Sequence, residues 1–195
     1  MVNRRNFVAS LGAVGTVAIA GCSGDSNSES SDSSGDGGNT NEGGGEEEQT
    51  LTHQIGDTFS VGEGQQVIEY TVNSAETYEM IGGEFSQEEP DGIFLVVEME
   101  MTNQSDESFS ISTGAYSALD SNGNSFDPDS GAGIYLDQDS RIESEAISFD
   151  QLNPGLSTSG ALVFDVPPGE EMRLQVEPTG FLDSGDTHEV ELGST

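Results

Sequence analysis

The residues equipped for chemistry in this 195-residue chain are few: two histidines, His53 and His188, and one thiol, Cys22. Ser-His-acid catalysis needs an imidazole held beside the nucleophile. Both histidines fall near the ends of the region able to fold, and the serines cluster in turns and in a polar N-terminal stretch, so no hydrolytic triad is predicted. Two separated histidines and one cysteine do not make a four-ligand zinc set. Paired carboxylates serve glycosidases, but eight of the 37 acids lie in residues 22–50, leaving 29 beyond, and pairs at any spacing then arise without function. Calcium takes oxygen donors clustered on a loop, and Asp120, Asn122, Asn124, Asp127 and Asp129 are such a cluster around Gly123. It lacks the downstream bidentate glutamate of an EF-hand, and an Asn-Gly hairpin turn accounts for the same residues. Calcium is therefore the one cofactor considered, without a committed site. Asp137, Asp139, Glu143 and Glu145 read as a solvated loop. Asn103-Gln104-Ser105 fits the acceptor pattern for N-glycosylation, which predicts an exposed turn there. A structural turn is the favoured reading of the same residues. Zinc, nucleophile and acid pair all fail, and the chain is not expected to be an enzyme.

The N-terminus carries an address. Arg4 and Arg5 precede a mildly apolar run from Phe7 to Ile19, which ends in the small residues Ala20 and Gly21 before Cys22. Charge, short apolar core and small residues at the cut are the parts of a secretory signal; the core is too short for a membrane span, which needs roughly 20 apolar residues. Asn3-Arg4-Arg5-Asn6-Phe7-Val8 resembles a twin-arginine export signal, without the usual serine before the arginines or the lysine after. Ile19-Ala20-Gly21-Cys22 resembles the lipobox of prokaryotic lipoproteins, which implies lipid on the Cys22 sulfur and a mature chain beginning there. Two or more acyl chains give stable anchoring. With one cysteine no internal disulfide forms.

Composition sets an environment. Against 37 acids stand four basic residues, all arginine, for a formal charge of −33; removing residues 1–21 deletes Arg4 and Arg5 and moves it to −35. Such self-repulsion opposes compaction in dilute buffer. At 1 M salt the Debye length falls to about 3 Å, and each carboxylate becomes nearly independent of the next. The chain therefore reads as built for brine, in the manner of halophilic archaea. Nucleic acid is excluded as a partner by the negative field.

Behind these residues the elements separate cleanly. From Ser23 to Thr50 there is no apolar side chain; such a segment forms no core and reads as a disordered acidic tether over 22–50, leaving 51–195 as one domain. In that domain Ile93, Leu95, Val97, Met99 and Met101 alternate with Phe94, Val96, Glu98 and Glu100, the period of a strand. Shorter alternations run through Ile68/Tyr70/Val72, Phe109/Ile111, Leu162/Phe164/Val166, Met172/Leu174/Val176 and Val190/Leu192, and no segment holds a helical stripe. Asp91-Gly92, Asn122-Gly123, Asn153-Pro154-Gly155 and Pro167-Pro168-Gly169 predict hairpin turns between them. Short strands at this spacing predict an all-β antiparallel sandwich with apolar inner and acidic outer faces. Phe94 and Val96, opposite the main core, form either an exposed patch or a second covered face.

The stretch Gly92 to Asp106, with its Thr102-Asn103-Gln104-Ser105 turn, resembles the long central strand of the telokin-like domain of unknown function 4352. Leu119-Asp120-Ser121-Asn122-Gly123, Leu152-Asn153-Pro154-Gly155, Gly160 and Val163-Phe164-Asp165-Val166-Pro167 extend the likeness over about residues 56–178. The resemblance implies an immunoglobulin-like fold of the kind found on bacterial and archaeal lipoproteins, and it is silent on chemistry. Residues 189–192 are predicted to add an edge strand. The whole predicts a cell-surface lipoprotein, anchored in the membrane through Cys22 and facing outward, whose sandwich binds an envelope protein or a small solute. A calcium-stabilised spacer is the alternative.

Overall fold

The computed structural model describes residues 49–147, 151–178 and 185–195. The export residues Arg4, Arg5 and Phe7, the anchor Cys22 and the polar stretch up to residue 48 lie outside the described residues.

Among the described residues thirteen strands follow in order: β1 (Thr50–Gln54), β2 (Thr58–Val61), β3 (Ile68–Tyr78), β4 (Ile81–Gly83), β5 (Ser86–Glu88), β6 (Ile93–Asn103), β7 (Phe109–Ser110), β8 (Tyr116–Leu119), β9 (Ser125–Phe126), β10 (Gln151–Leu152), β11 (Ser157–Val166), β12 (Glu171–Val176) and β13 (Thr187–Ser194). One sheet runs β1-β13-β12-β8-β9 and the other β11-β6-β3-β2. Their facing sides hold the main core, in which Leu95, Val97, Met99 and Met101 of β6 meet Tyr116, Ala118, Leu174 and Val190. The predicted all-β sandwich is the fold observed. Its register follows from the alternation, because a slip of one residue would turn Leu95, Val97, Met99 and Met101 of β6 away from the main core.

Four expectations need correction. First, β1 pairs with β13 in parallel, Thr50 opposite Thr187 and Gln54 opposite Glu191, so the sandwich is not wholly antiparallel. Second, β13 lies between β1 and β12 and is therefore not an edge; strand β1, which has only Leu51 as an apolar residue, gave no alternation to announce it. Third, of the predicted hairpin turns only Asn122-Gly123 joins two paired strands, β8 and β9, with Gly123 at φ 80°. The others carry the chain between sheets. Gly92 is needed for closeness, since a Cβ there would stand 2.1 Å from the Val166 carbonyl oxygen. The Asp165 carboxylate fixes the same corner by accepting the Asp91 and Gly92 N–H groups at 2.7 and 2.9 Å.

Fourth, the outer face of β6 and β11 is acidic only in part, and of the two readings of Phe94 and Val96 the covered second face is the one observed. Phe94, Val96, Ala161 and Val163 pack under Ile81, Ala132, Leu136 and Ile142 in a second core. The covering segment contains the short helix α1 (Ser130–Gly133) and a 3-10 turn at Leu136–Gln138, both missed because neither is long enough for a helical stripe. Asp139, expected in a solvated loop, is buried and ion-paired to Arg141 at 2.6 Å. The Arg141 bond, with further N–H groups on the carboxylate, lowers the Asp139 pKa to about 2. Arg141 also donates to the Met80 carbonyl at 2.7 Å and lies 5.1 Å from the Tyr78 ring centre, while Gly82 N–H donates to Asp139 at 3.1 Å. This pair ties the covering segment to the start of β4. Asp137, Glu143 and Glu145 are exposed as expected.

The second core predicts a sharp contrast between two phenylalanines. Phe94→Ala, at 1 % exposure, should cost about 3–5 kcal/mol in urea unfolding at fixed molar salt. Phe85→Ala, at 96 % exposure on the β4–β5 turn, should stay within about 0.5 kcal/mol.

Candidate functional site

The parallel pairing of β1 and β13 brings together the two histidines, 135 residues apart, that the sequence left separate. His53 Nε2 and His188 Nδ1 lie 2.9 Å apart, and either ring can donate. Their rings are within 12° of a common orientation with centroids 5.2 Å apart. Phe59 of β2 lies flat over both, at 4.4 Å from the His53 ring and 5.0 Å from the His188 ring. Behind Phe59 comes Tyr70 at 5.8 Å, whose hydroxyl meets that of Tyr116 at 3.3 Å; Tyr116 donates onward to the Met101 sulfur at 3.2 Å. The sheets are thus joined at this edge by an aromatic stack ending in a hydroxyl pair. Burial lowers both imidazole pKa values. Asp57 opposes the shift at His53; at His188 the facing His53 adds to it and Asp186 opposes it. Burial pushes Tyr70 up to about 12 and Tyr116 well above its ordinary value, so the stack carries no charge near neutrality.

On the other face of the same strands lies a groove of about 640 Å³. Gln54, Glu191 and Arg173 form one cross-strand row through β1, β13 and β12. A register irregularity between Met172 and Arg173 lies directly beside it, the kind of feature that re-aims a side chain beside a site. Gln54 donates to Glu191 at 2.6 Å, and Arg173 pairs with Glu189 at 2.5 Å. With Ser121 and Glu171 at the rim and Met172 and Leu192 in the lining, the groove combines one cation, an amide, a hydroxyl, carboxylates and some apolar surface. That donor set matches a polar solute able to give and accept hydrogen bonds.

The oxygen cluster considered for calcium closes a turn, the other reading of the same residues. Asp120 accepts the Asn122 and Asn124 N–H groups, each at 2.8 Å, and the Asn124 side-chain amide at 2.6 Å. These bonds, the Asn124 amide foremost, lower the Asp120 pKa and close the β8–β9 turn. Asp129 caps α1 by accepting Ala132 N–H at 2.9 Å, and Asp127 is exposed. Among the described residues no three acidic, imidazole or thiol groups converge as a metal site. Asn103, predicted on an exposed turn, is instead fully buried. Its Nδ2 donates to the Glu107 and Leu152 carbonyls, both at 2.8 Å, and its Oδ1 accepts from Ser105 N–H at 2.9 Å and from the Ser105 hydroxyl. The nitrogen that would bear a glycan has both hydrogens engaged in the folded domain, so Asn103 is a structural residue of the turn.

Solved structures share this fold. The YjhA protein of Bacillus subtilis matches with a TM-score of 0.53 at 21 % identity, over 71 % of this chain and 98 % of its own. The secreted protein MPT63 of Mycobacterium tuberculosis matches with a TM-score of 0.51 at 14 % identity, over 73 % of this chain and 97 % of its own. None of the curated proteins is similar in sequence. A family profile covers residues 53–187, wider than the 56–178 read from the motifs, and it opens at His53 and stops one residue before His188. The chain belongs to the family described as domain of unknown function DUF4352.

Proposed function

We propose that this is an exported protein, moored outside the cell by lipid on Cys22, whose β-sandwich works as a binding module for a small polar solute in brine. The observation that carries the binding reading is the groove across β1, β13 and β12. It gathers Arg173, one of only two cations in the folded region, beside the Gln54–Glu191 pair. Binding rather than turnover is favoured by the histidines, which face each other and hold no nucleophile between them. An envelope protein docking on the same strands is the other ligand class for this groove. The mooring rests on the Arg4-Arg5 to Cys22 signal, and the brine setting on a formal charge of −33.

Each part has its own test. In the native host, Cys22→Ser should move the protein from the membrane fraction to the medium; persistence with membranes contradicts the anchor. The melting temperature of the whole chain should rise as sodium chloride goes from 0.1 to 3 M, since screening removes repulsion among the carboxylates; a salt-independent midpoint contradicts the brine reading. Polar solutes, with amino acids, sugars and polyols as the panel, should include one that stabilises the chain at 3 M salt. At a hundred times its Kd a ligand adds about 2.7 kcal/mol. Gln54→Ala and Ser121→Ala should abolish that shift while leaving the unliganded midpoint near its starting value. A shift that survives both variants, or none across the panel, contradicts the groove.

A further inference from the structure

The centroid separation of the two imidazoles, 5.2 Å, is about the 2.9 Å nitrogen distance plus one ring radius at each end, with the rings near one plane. The nitrogens therefore meet head-on. Two ligands to one metal ion must aim their lone pairs at a shared third point, and here each nitrogen is aimed at the other. What fits on that line is a single proton.

Proton counting then sets the behaviour of the pair. In the neutral pair one nitrogen donates and the other accepts. A first added proton settles on the free nitrogen of the donating ring, and the N–H···N bond persists with charge assistance. A second must take the accepting nitrogen, which removes the bond and sets two cations against each other. The surroundings give that second charge little relief. Phe59 covers both rings, and Tyr70 behind it is neutral. The carboxylates nearest the pair already hold the ends of β1, Asp57 through Gln54 N–H at 2.8 Å and Asp186 through Gln49 N–H at 2.9 Å. Glu189 and Glu191 are engaged on the opposite face with Arg173 and Gln54.

Strand β1 depends on this contact. It is five residues long, every residue but His53 is exposed, and its ladder runs to β13 alone. A short, exposed edge strand belongs to the low end of local stability. We propose that the His53–His188 bond is a proton-operated clasp, which stays closed through the first added proton and opens on the second, releasing β1 from β13 while the rest of the sandwich remains folded. Opening frees the residues of β1 and uncovers the edge of β13, a template for another strand.

The sign follows from the proton count. The closed form binds fewer protons than the open one, consistent with both lowered imidazole pKa values, so acid favours opening below the ordinary imidazole value of about 6.5. Hydrogen exchange on the whole chain in 3 M salt, corrected for intrinsic rates, reads it directly. Protection of the β1 amides that are bonded to β13 should fall about tenfold for each pH unit between about 6.5 and 5, with β6 unchanged. The double variant His53→Phe/His188→Phe keeps both rings under Phe59 but leaves no imidazole to take a proton, and its β1 protection should be independent of pH in that window. The clasp is overturned if wild-type β1 protection is flat with pH, if it falls only together with β6, or if the double variant retains the wild-type dependence. Should that variant not fold, the imidazole NMR titration of the wild type decides. Two separated steps support the clasp, and one common step near 6.5 overturns it.

Discussion

Strand β6 is covered on both sides, and the remainder of the domain is arranged around that fact. Over Phe94–Val97 four consecutive residues are buried, two facing the partner sheet and two facing the segment that contains α1. A strand buried on both faces exposes no side chain there to water, so its neighbours β3 and β11 must supply the backbone hydrogen bonds and both cores the packing. Farther along, Glu98 marks where the second cover ends. It accepts Ser74 from β3 at 2.8 Å and Ser144 from the covering segment at 2.5 Å, and beyond it Glu100 is exposed.

An acidic chain gains from this plan. Apolar residues concentrated on β6 and β11 stabilise two cores at once, which leaves the acids on loops, edges and outer rows. The few carboxylates that go inside are each held: Asp139 by Arg141, Glu189 by Arg173 and Asp120 by its own turn. Both arginines of the folded region are thereby used to neutralise acids that the fold draws inward, and one of them, Arg173, also stands at the groove.

The strands that build the main core were legible because alternation is local: Ile68 to Val72, Ile93 to Met101 and Leu162 to Val166 each announce a face within a few residues. The Asn122-Gly123 turn was legible for the same reason. The seam between β1 and β13 was not, since Thr-Leu-Thr-His-Gln has no apolar period and its partner lies at the far end of the chain. The histidines therefore read as unrelated until the parallel register set them face to face. Asn103 misled in the opposite direction: a short pattern that signals an exposed acceptor is here an amide whose donors and acceptor all turn inward. Asp139 read as solvent-facing because nothing near it in sequence shows that the chain recrosses β4.

If β6 is the common wall of two cores, the domain must lose both together. The four tyrosines allow a direct reading, because Tyr70 and Tyr116 belong to the main core and Tyr78 and Tyr135 border the second. Urea unfolding at constant molar salt is followed by tyrosine fluorescence in two variants, Tyr78→Phe/Tyr135→Phe and Tyr70→Phe/Tyr116→Phe, with wild-type circular dichroism as reference. After correction for each variant's own stability, the account predicts one transition, coincident by both tyrosine pairs. A second core that melts at lower urea while the Tyr70–Tyr116 signal stays native would contradict it.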